Sequence, residues 1–343
     1  MRPIRVLVVE DSLVFRELLV QNLNKDPAIE VVAVAKDPFE ARDAILKYRP
    51  DVMTLDVELP RMNGIEFLRK LMPQYPIPVV VISALSDKVF EALNAGAVDF
   101  VAKPVSTGRA QIEDFIHNEL SEKVKIASNV KTSNIKKTAM LQTAQQPMQL
   151  KDNNLIVAIG ASTGGTEAIF SVVKDFGQDI PGVVIVQHMP PGFTEMYAKR
   201  LDSQCRVKVK EACTGDRVMR GQVLIAPGGD RHMRLVKVNG VYQVECRQGP
   251  KVNGHCPSVD ELFYSVANAA GPHALGIILT GMGGDGAKGL LAMKKAGAQT
   301  IGQDESTCVV YGMPKVAYDI GAVKYQVRLD EIAKKTYTVL SKM

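Results

Sequence analysis

No apolar run in the 343 residues approaches the roughly 18 needed to span a bilayer, so membrane insertion is not expected. The opening segment, Met1-Arg-Pro-Ile-Arg-Val-Leu-Val-Val-Glu-Asp11, is too short in its apolar part for a secretory leader and soon reaches acids. Cysteine is scarce. Cys205, Cys213, Cys246, Cys256 and Cys308 are odd in number and form no CxxC pair, which fits reduced thiols better than a disulfide frame or a zinc site. A cytoplasmic protein is the expectation. The net charge is +5, yet no arginine-rich helix with interleaved aromatics is present, so nucleic-acid binding is not expected. Internal repeats are absent, as is a helix-turn-helix pattern in the second half.

What is there suffices for two separate cores: 46% of residues are hydrophobic and 23% charged. The charge is uneven, with net −4 over residues 1–120, +4 over 121–150 and +5 over 151–343. Opposite signs favour docking of one part on another; ordinary solvated surface accounts for them equally well.

Residues 1–120 alternate short apolar strands with amphipathic helices. Strands are expected at Ile4–Val9, Ile29–Ala35, Asp51–Leu55, Pro78–Ile82 and Val98–Val101. Helices are expected near Leu13–Asn24, Pro38–Lys47, Gly64–Leu71, Lys88–Ala95 and Gln111–Ser121. Continuous apolar strands such as Val79-Val-Val-Ile82 imply burial on both sheet faces, hence a parallel (βα)5 sheet of flavodoxin-like type. From 121 to 153 the chain turns polar and basic, as in Thr132-Ser-Asn-Ile-Lys-Lys137, and reads as a flexible linker, with room for a helical start running on from Asn118. Residues 154–343 resume the alternation, with strands at Leu155–Ile159, Val183–Gln187, Val223–Ala226 and Leu275–Thr280. Met233–Val238 and Val241–Cys246 flank Asn239-Gly240 and read as a β-hairpin. This second domain is expected to be a doubly wound, mostly parallel α/β unit with an antiparallel excursion.

In the first domain Glu10-Asp11 follow strand one, Asp56 ends strand three, Ser83 follows strand four and Lys103 follows strand five. Sites in open parallel sheets form at the carboxyl ends of strands. A single Asp there is commonly a helix cap or turn residue, but five such residues in order point to a site. Clustered carboxylates suit a hard cation such as Mg²⁺, with Ser83 and Lys103 placed to hold a phosphoryl group. These residues, with Val8-Val-Glu-Asp-Ser12, Asp56-Val-Glu-Leu-Pro60, Met62-Asn-Gly64 and Lys103-Pro104, resemble a response-regulator receiver domain. The resemblance implies that Asp56 accepts a phosphoryl group from a histidine kinase. It implies Mg²⁺ held by Asp11, Asp56 and the backbone carbonyl of Glu58, with Glu10 assisting through water. Ser83 and Phe100 fall at the switch positions. The family often has two aspartates where this chain has Glu10-Asp11.

In the second domain Gly160-Ala-Ser162-Thr-Gly164 sits between a strand and a helix. A dinucleotide loop needs GxGxxG and an acid after the next strand, and a P-loop needs Gly-Lys-Ser/Thr; both requirements fail. A nucleophile elbow fits the pattern GxSxG. His188 ends the next strand and would serve Ser162 as base; Asp285, in the Leu279-Thr-Gly-Met-Gly-Gly-Asp-Gly286 turn after another apolar strand, would orient that base. The order Ser, His, Asp differs from that of α/β-hydrolases. Histidine alone selects nothing, since His232, His255 and His273 share the domain, and His255-Cys256 lacks the strand–turn context of a cysteine nucleophile.

Ile159-Gly-Ala-Ser-Thr-Gly-Gly-Thr166, Val186-Gln-His-Met-Pro-Pro-Gly-Phe-Thr194, Ala226-Pro-Gly-Gly-Asp-Arg-His-Met233, Pro257-Ser-Val-Asp-Glu-Leu-Phe263 and Leu279–Ala287 resemble the catalytic domain of the CheB chemotaxis methylesterases. With the receiver, the likeness covers nearly the whole chain. It implies hydrolysis of glutamate γ-methyl esters on the cytoplasmic domains of chemoreceptors, and deamidation of receptor glutamines, by Ser162, His188 and Asp285. The backbone N–H of Met282 would contribute to the oxyanion site, and the esterase would need no cofactor. The receiver would inhibit until Asp56 is phosphorylated. A monomer is expected. The competing reading is a phosphorylation-dependent adaptor with a vestigial esterase domain, against which the intact Ser162, His188 and Asp285 speak.

Overall fold

The computed structural model describes residues 2–84, 88–104, 108–130 and 154–343, the side chain of Arg109 excepted. The chain divides into two compact units, residues 1–137 and 138–343. Among the described residues, no helix is long and apolar enough to cross a membrane, and all five cysteines carry free thiols.

In the first unit, β1 (Ile4–Val9), β2 (Ile29–Ala35), β3 (Val52–Asp56), β4 (Val79–Ser83) and β5 (Asp99–Ala102) form one parallel sheet in the order β2-β1-β3-β4-β5. β3 and β4 are buried along their whole lengths, as strands covered by helices on both faces must be. α1 (Leu13–Leu23), α2 (Pro38–Tyr48), α3 (Gly64–Leu71) and α4 (Lys88–Asn94) intervene. Their starts are chemically marked: the side chains of Ser12, Asp37 and Asn63 accept from the first-turn N–H groups of α1, α2 and α3.

The stretch from 121 opens with the helical start that the sequence allows, which extends the first unit's last helix beyond the expected boundary. The last helix, α5, begins at Arg109, passes through a wider turn at Ile116–Leu120 and continues to Ser128. Ile116, Leu120, Val124 and Ala127 are buried in succession along it, a helical spacing of four, four and three. Lys123 reaches Asp99 at 2.6 Å and Lys125 reaches Asp26 at 3.3 Å. A narrow apolar stripe thus holds a segment whose composition reads as polar. Residues 131–153, the rest of the stretch read as linker, lie outside the described residues.

In the second unit seven strands form a parallel sheet in the order β14-β13-β12-β6-β7-β9-β8. β6 (Ile156–Ala161) is central, β7 (Gly182–Gln187) pairs on one side of it and β12 (Ala274–Ile278) on the other. The chain first builds β7, β8 (Lys208–Glu211) and β9 (Gln222–Ile225), then returns across β6 to build β12, β13 (Gln299–Gln303) and β14 (Tyr325–Val327). The order therefore reverses at β6, and the crevice at its carboxyl end is where open α/β sheets bind ligands. The hairpin β10 (Arg231–Val238) and β11 (Val241–Gln248) is antiparallel, with Asn239 and Gly240 both at positive φ. It packs against the helix Val259–Ala270, labelled α8 after α6 (Gly165–Val173) and α7 (Phe193–Gln204).

Gly160, in β6, lies against the start of α8. A Cβ there would stand 2.2 Å from a methyl of Val259. The expected outcome for Gly160→Ala is a loss of about 1–3 kcal/mol from overpacking. Gly160→Ala with Val259→Ala should lose less than the sum of the two single variants. Urea unfolding measures both; strict additivity would show that the two sites do not touch.

Candidate functional site

The nucleophile turn is pinned from three sides. The N–H of Ser162 donates to the carbonyl of Thr280 at 3.0 Å, and its carbonyl accepts from Gly165 N–H at 2.7 Å and from Gln187 Nε2 at 2.9 Å. The Thr280 hydroxyl in turn ties residues 163 and 310 into the same knot. Gly281 must be glycine for this approach, because a Cβ there would lie 2.7 Å from the Cβ of Ser162. Ser162 ends up 8% exposed.

His188 follows β7, and its N–H donates to Ala161 at 3.2 Å, so it stands beside Ser162 on the adjoining strand end. Its Nε2 lies 2.9 Å from Oδ2 of Asp285. Its Nδ1 is buried and has no partner among the described residues. With an ionised carboxylate at Nε2, that nitrogen carries the proton and Nδ1 keeps its lone pair, which makes Nδ1 the basic atom.

Asp285 is 1% exposed. Besides His188, its Oδ2 accepts from Val259 N–H at 2.7 Å; its Oδ1 accepts from the Ser258 hydroxyl at 2.7 Å, Asn253 Nδ2 at 2.9 Å and Asp260 N–H at 3.2 Å. Burial works against the charge, but the bonds from His188, Asn253 and Ser258 hold the carboxyl well below the usual carboxylate range. Val259 and Asp260 open α8, so Asp285 also sits at a helix N-terminus. Asp260 titrates in the opposite sense: burial and the neighbouring Asp285 raise its pKa.

Of the residues singled out from the sequence, Ser162, His188 and Asp285 converge at this crevice. The side chain of Met282 is exposed, and its backbone N–H has no acceptor among the described residues; the Gly281 N–H is taken by Val310. Sequence reasoning missed Asn253, Ser258, Gln187 and Thr280 as supports. Ser258 carried a signal, as the cap residue of Ser258-Val-Asp-Glu261. Asn253 carried one too, in Asn253-Gly254.

In the first unit, Glu10, Asp11 and Asp56 can each place one oxygen within 4.8 Å of the others. Glu10 is fully buried, Asp56 nearly so and Asp11 exposed. Lys103 Nζ lies 3.1 Å from Glu10 and 2.8 Å from Asp56. It also lies 4.7 Å from the centre of the Phe15 ring, an unforeseen contact. Burial, and next the charge of Asp56, push the Glu10 carboxyl up to about 7 despite Lys103. The cluster thus holds more negative charge than one lysine neutralises, and its all-oxygen donor set fits a hard divalent cation. The Glu58 N–H donates to Asp56 at 3.0 Å. Ser83 ends β4 and Phe100 lies in β5, both buried.

The fold and these two sites define a class: a receiver-type (βα)5 unit followed by an α/β hydrolytic unit. A family model for the CheB methylesterase matches residues 157–336, and one for the response regulator receiver domain matches residues 6–113. The chain belongs to the CheB methylesterase family. A protein-glutamate methylesterase/protein-glutamine glutaminase 2 of Syntrophomonas wolfei is 59% identical to it, over 100% of this chain and 99% of that one. A protein-glutamate methylesterase/protein-glutamine glutaminase of Salmonella typhimurium is 47% identical, over 99% and 98%. The crystal structure of the Thermotoga maritima CheB methylesterase catalytic domain is 39% identical, with a TM-score of 0.53, covering 54% of this chain and 98% of that one.

Because folding lowers the pKa of Asp285, its stabilising contribution is present above about pH 4, the ordinary value, and is lost as pH falls through the folded value. Asp285→Asn should therefore lower stability by roughly 2–4 kcal/mol at pH 7, and the deficit relative to wild type should shrink below pH 4. Denaturant midpoints of both proteins across pH 3–7 check this; an equal deficit at both ends would contradict it.

Proposed function

We propose that the chain is a protein-glutamate methylesterase and protein-glutamine glutaminase acting on the cytoplasmic domains of chemoreceptors in chemotaxis adaptation, and that phosphorylation of Asp56 activates it. The observation that carries the hydrolytic reading is the His188 ring, on the strand end next to that of Ser162, bound to a well-held carboxylate at Nε2, with a buried Nδ1 that has no partner among the described residues.

Ser162 Oγ attacks the ester carbonyl as His188 Nδ1 takes its proton. Asp285, ionised and saturated with donors, keeps the proton on Nε2 and stabilises the imidazolium that forms. The negative charge that develops on the carbonyl oxygen is met by the Met282 N–H, which has no competing acceptor among the described residues; a donor of this kind contributes about 3 kcal/mol to the transition state. As the C–O bond breaks, His188 returns the proton to the leaving oxygen and methanol departs. Water, deprotonated by His188, then cleaves the acyl-serine and leaves a receptor carboxylate. A glutamine side chain follows the same course with ammonia leaving. The esterase needs no cofactor for any of these steps.

In the receiver, a histidine kinase supplies the phosphoryl group and the Asp56 carboxylate accepts it. Glu10, Asp11, Asp56 and the carbonyl of Glu58 would hold Mg²⁺, which supplies neutralisation of the phosphoryl oxygens. Lys103 and the Ser83 hydroxyl bind those oxygens, and Phe100 moves with Ser83. The added charge of about −1.5 to −2 shifts the receiver between two states, of which the unphosphorylated one restrains the esterase. The chain acts as a cytoplasmic monomer.

Two outcomes test this reading. Ser162→Ala should cut methanol release from a methylated receptor by at least about 10³-fold and abolish labelling by a fluorophosphonate serine probe; release near the wild-type rate would overturn the nucleophile assignment. A small-molecule phosphodonor should raise methanol release by the wild-type protein several-fold and leave Asp56→Asn unchanged; equal stimulation of both would place the phosphoacceptor elsewhere.

A further inference from the structure

The proton chemistry assigned above accounts for both edges of the His188 ring but not for its face. That face is covered by a second histidine. The rings of His188 and His255 are stacked, with centroids 3.7 Å apart and planes 15° from parallel. His255 reaches that position on a four-residue turn. Val252 and His255 exchange both N–H to carbonyl bonds, each 2.9 Å long. Between them Asn253 and Gly254 both have positive φ, at 51° and 84°, the pattern of a tight type I′ hairpin turn. The same turn is anchored at the carboxylate. Asn253 Nδ2 donates to Asp285 Oδ1 at 2.9 Å and to Asp260 Oδ2 at 2.8 Å. Three residues past His255, the Ser258 hydroxyl donates to Asp285 at 2.7 Å. One short segment therefore holds Asp285 through its edges and His188 through its face.

A hydrogen bond from Nε2–H to Asp285 fixes one atom of the imidazole and leaves the ring free to tilt about that contact. For Nδ1 to take a proton from Ser162, its in-plane lone pair has to point at the serine, so the plane of the ring matters as much as its position. A stacked ring removes the tilt. It also keeps water off the face of His188, whose side chain is 7% exposed, and offers a π surface to the imidazolium formed during attack. We propose that His255 is a positioning residue for this base: its ring, delivered by the Val252–His255 turn, sets the plane of the His188 imidazole. This inference rests on the assignment of His188 as the base of Ser162.

The test uses the full chain, with His255→Ala, His255→Phe and wild type compared in two ways. The first is the rate of Ser162 labelling by a fluorophosphonate probe, separated into its maximal rate and its half-saturating concentration. The second is the most downfield proton resonance of ¹⁵N-histidine-labelled protein, that of the His188 Nε2–H held by Asp285. His255→Ala should lower the maximal rate about 10- to 100-fold with little change in half-saturation, and should broaden or lose the downfield resonance. His255→Phe keeps a stacked ring without its nitrogens, and should retain the resonance and a rate within about threefold of wild type. A wild-type maximal rate and an intact resonance in His255→Ala would overturn the inference. So would His255→Phe failing as badly as His255→Ala, because a ring nitrogen, not the stack, would then be responsible. If wild type itself is not labelled at Ser162, the proposed nucleophile is wrong, while the resonance in the three proteins still decides whether His255 orders His188.

Discussion

The buried carboxylate of Asp285 is the constraint around which the second unit's site is assembled. A charge that is 1% exposed is tolerable only when its lone pairs are filled, and here they are filled from four separate sources. The first turn of α8 supplies two backbone N–H groups, Ser258 a hydroxyl, Asn253 an amide and His188 an imidazole N–H. Each donor is thereby fixed relative to the others. The position of α8 depends in turn on Gly160, whose missing Cβ makes room for Val259. The orientation of the histidine is thus tied to the packing of a helix on the central strand.

The two units use one geometric rule and reach opposite electrostatic ends. Both collect functional groups at the carboxyl ends of parallel strands. In the second unit the Asp285 carboxylate has donors on both oxygens, and its pKa falls. In the first, Glu10 and Asp56 share a single lysine, and burial with mutual repulsion leaves Glu10 near 7. A saturated carboxylate suits a group that must stay charged while its neighbour cycles through protonation. An under-neutralised cluster suits a site that gains and loses charged groups.

Much of this could be read from the sequence because strand ends are legible. Period-two and continuous apolar runs locate the strands, and the residue just past each run lands at the sheet edge; Glu10, Asp56, Ser83, Lys103, Ser162 and His188 were all found in this way. The residues that organise the site through loops were not. Asn253 and His255 lie in a stretch with no strand of its own, and what brings them to Asp285 and His188 is tertiary structure. Three strands also carried too little apolar signal. β8 reads Lys-Val-Lys-Glu at a sheet edge, and β14 is a three-residue edge strand. β13 is largely buried but holds Thr300 and Gln303, whose polar atoms are engaged by neighbouring loops. The helical run to Ser128 is legible in the sequence only as a possible helical start to the linker, because its buried apolar stripe is narrow.

The order of the sheet also explains why the histidine uses its nitrogens as it does. The strand bearing Ser162 is central, the strand bearing His188 lies on one side and the strand leading to Asp285 on the other. His188 and Asp285 therefore follow strands on opposite flanks of the one that bears Ser162, and the imidazole reaches across to meet the carboxylate. Nε2 is the ring nitrogen farther from the backbone, so it is the atom that reaches Asp285, at 2.9 Å. Nδ1, nearer the His188 backbone, is buried with no partner among the described residues. An acid on the far side of the base would invite the reverse assignment. A Ser-His-Asp chain order, a switch point at the serine strand and a proton held on Nε2 are thus three expressions of one topology.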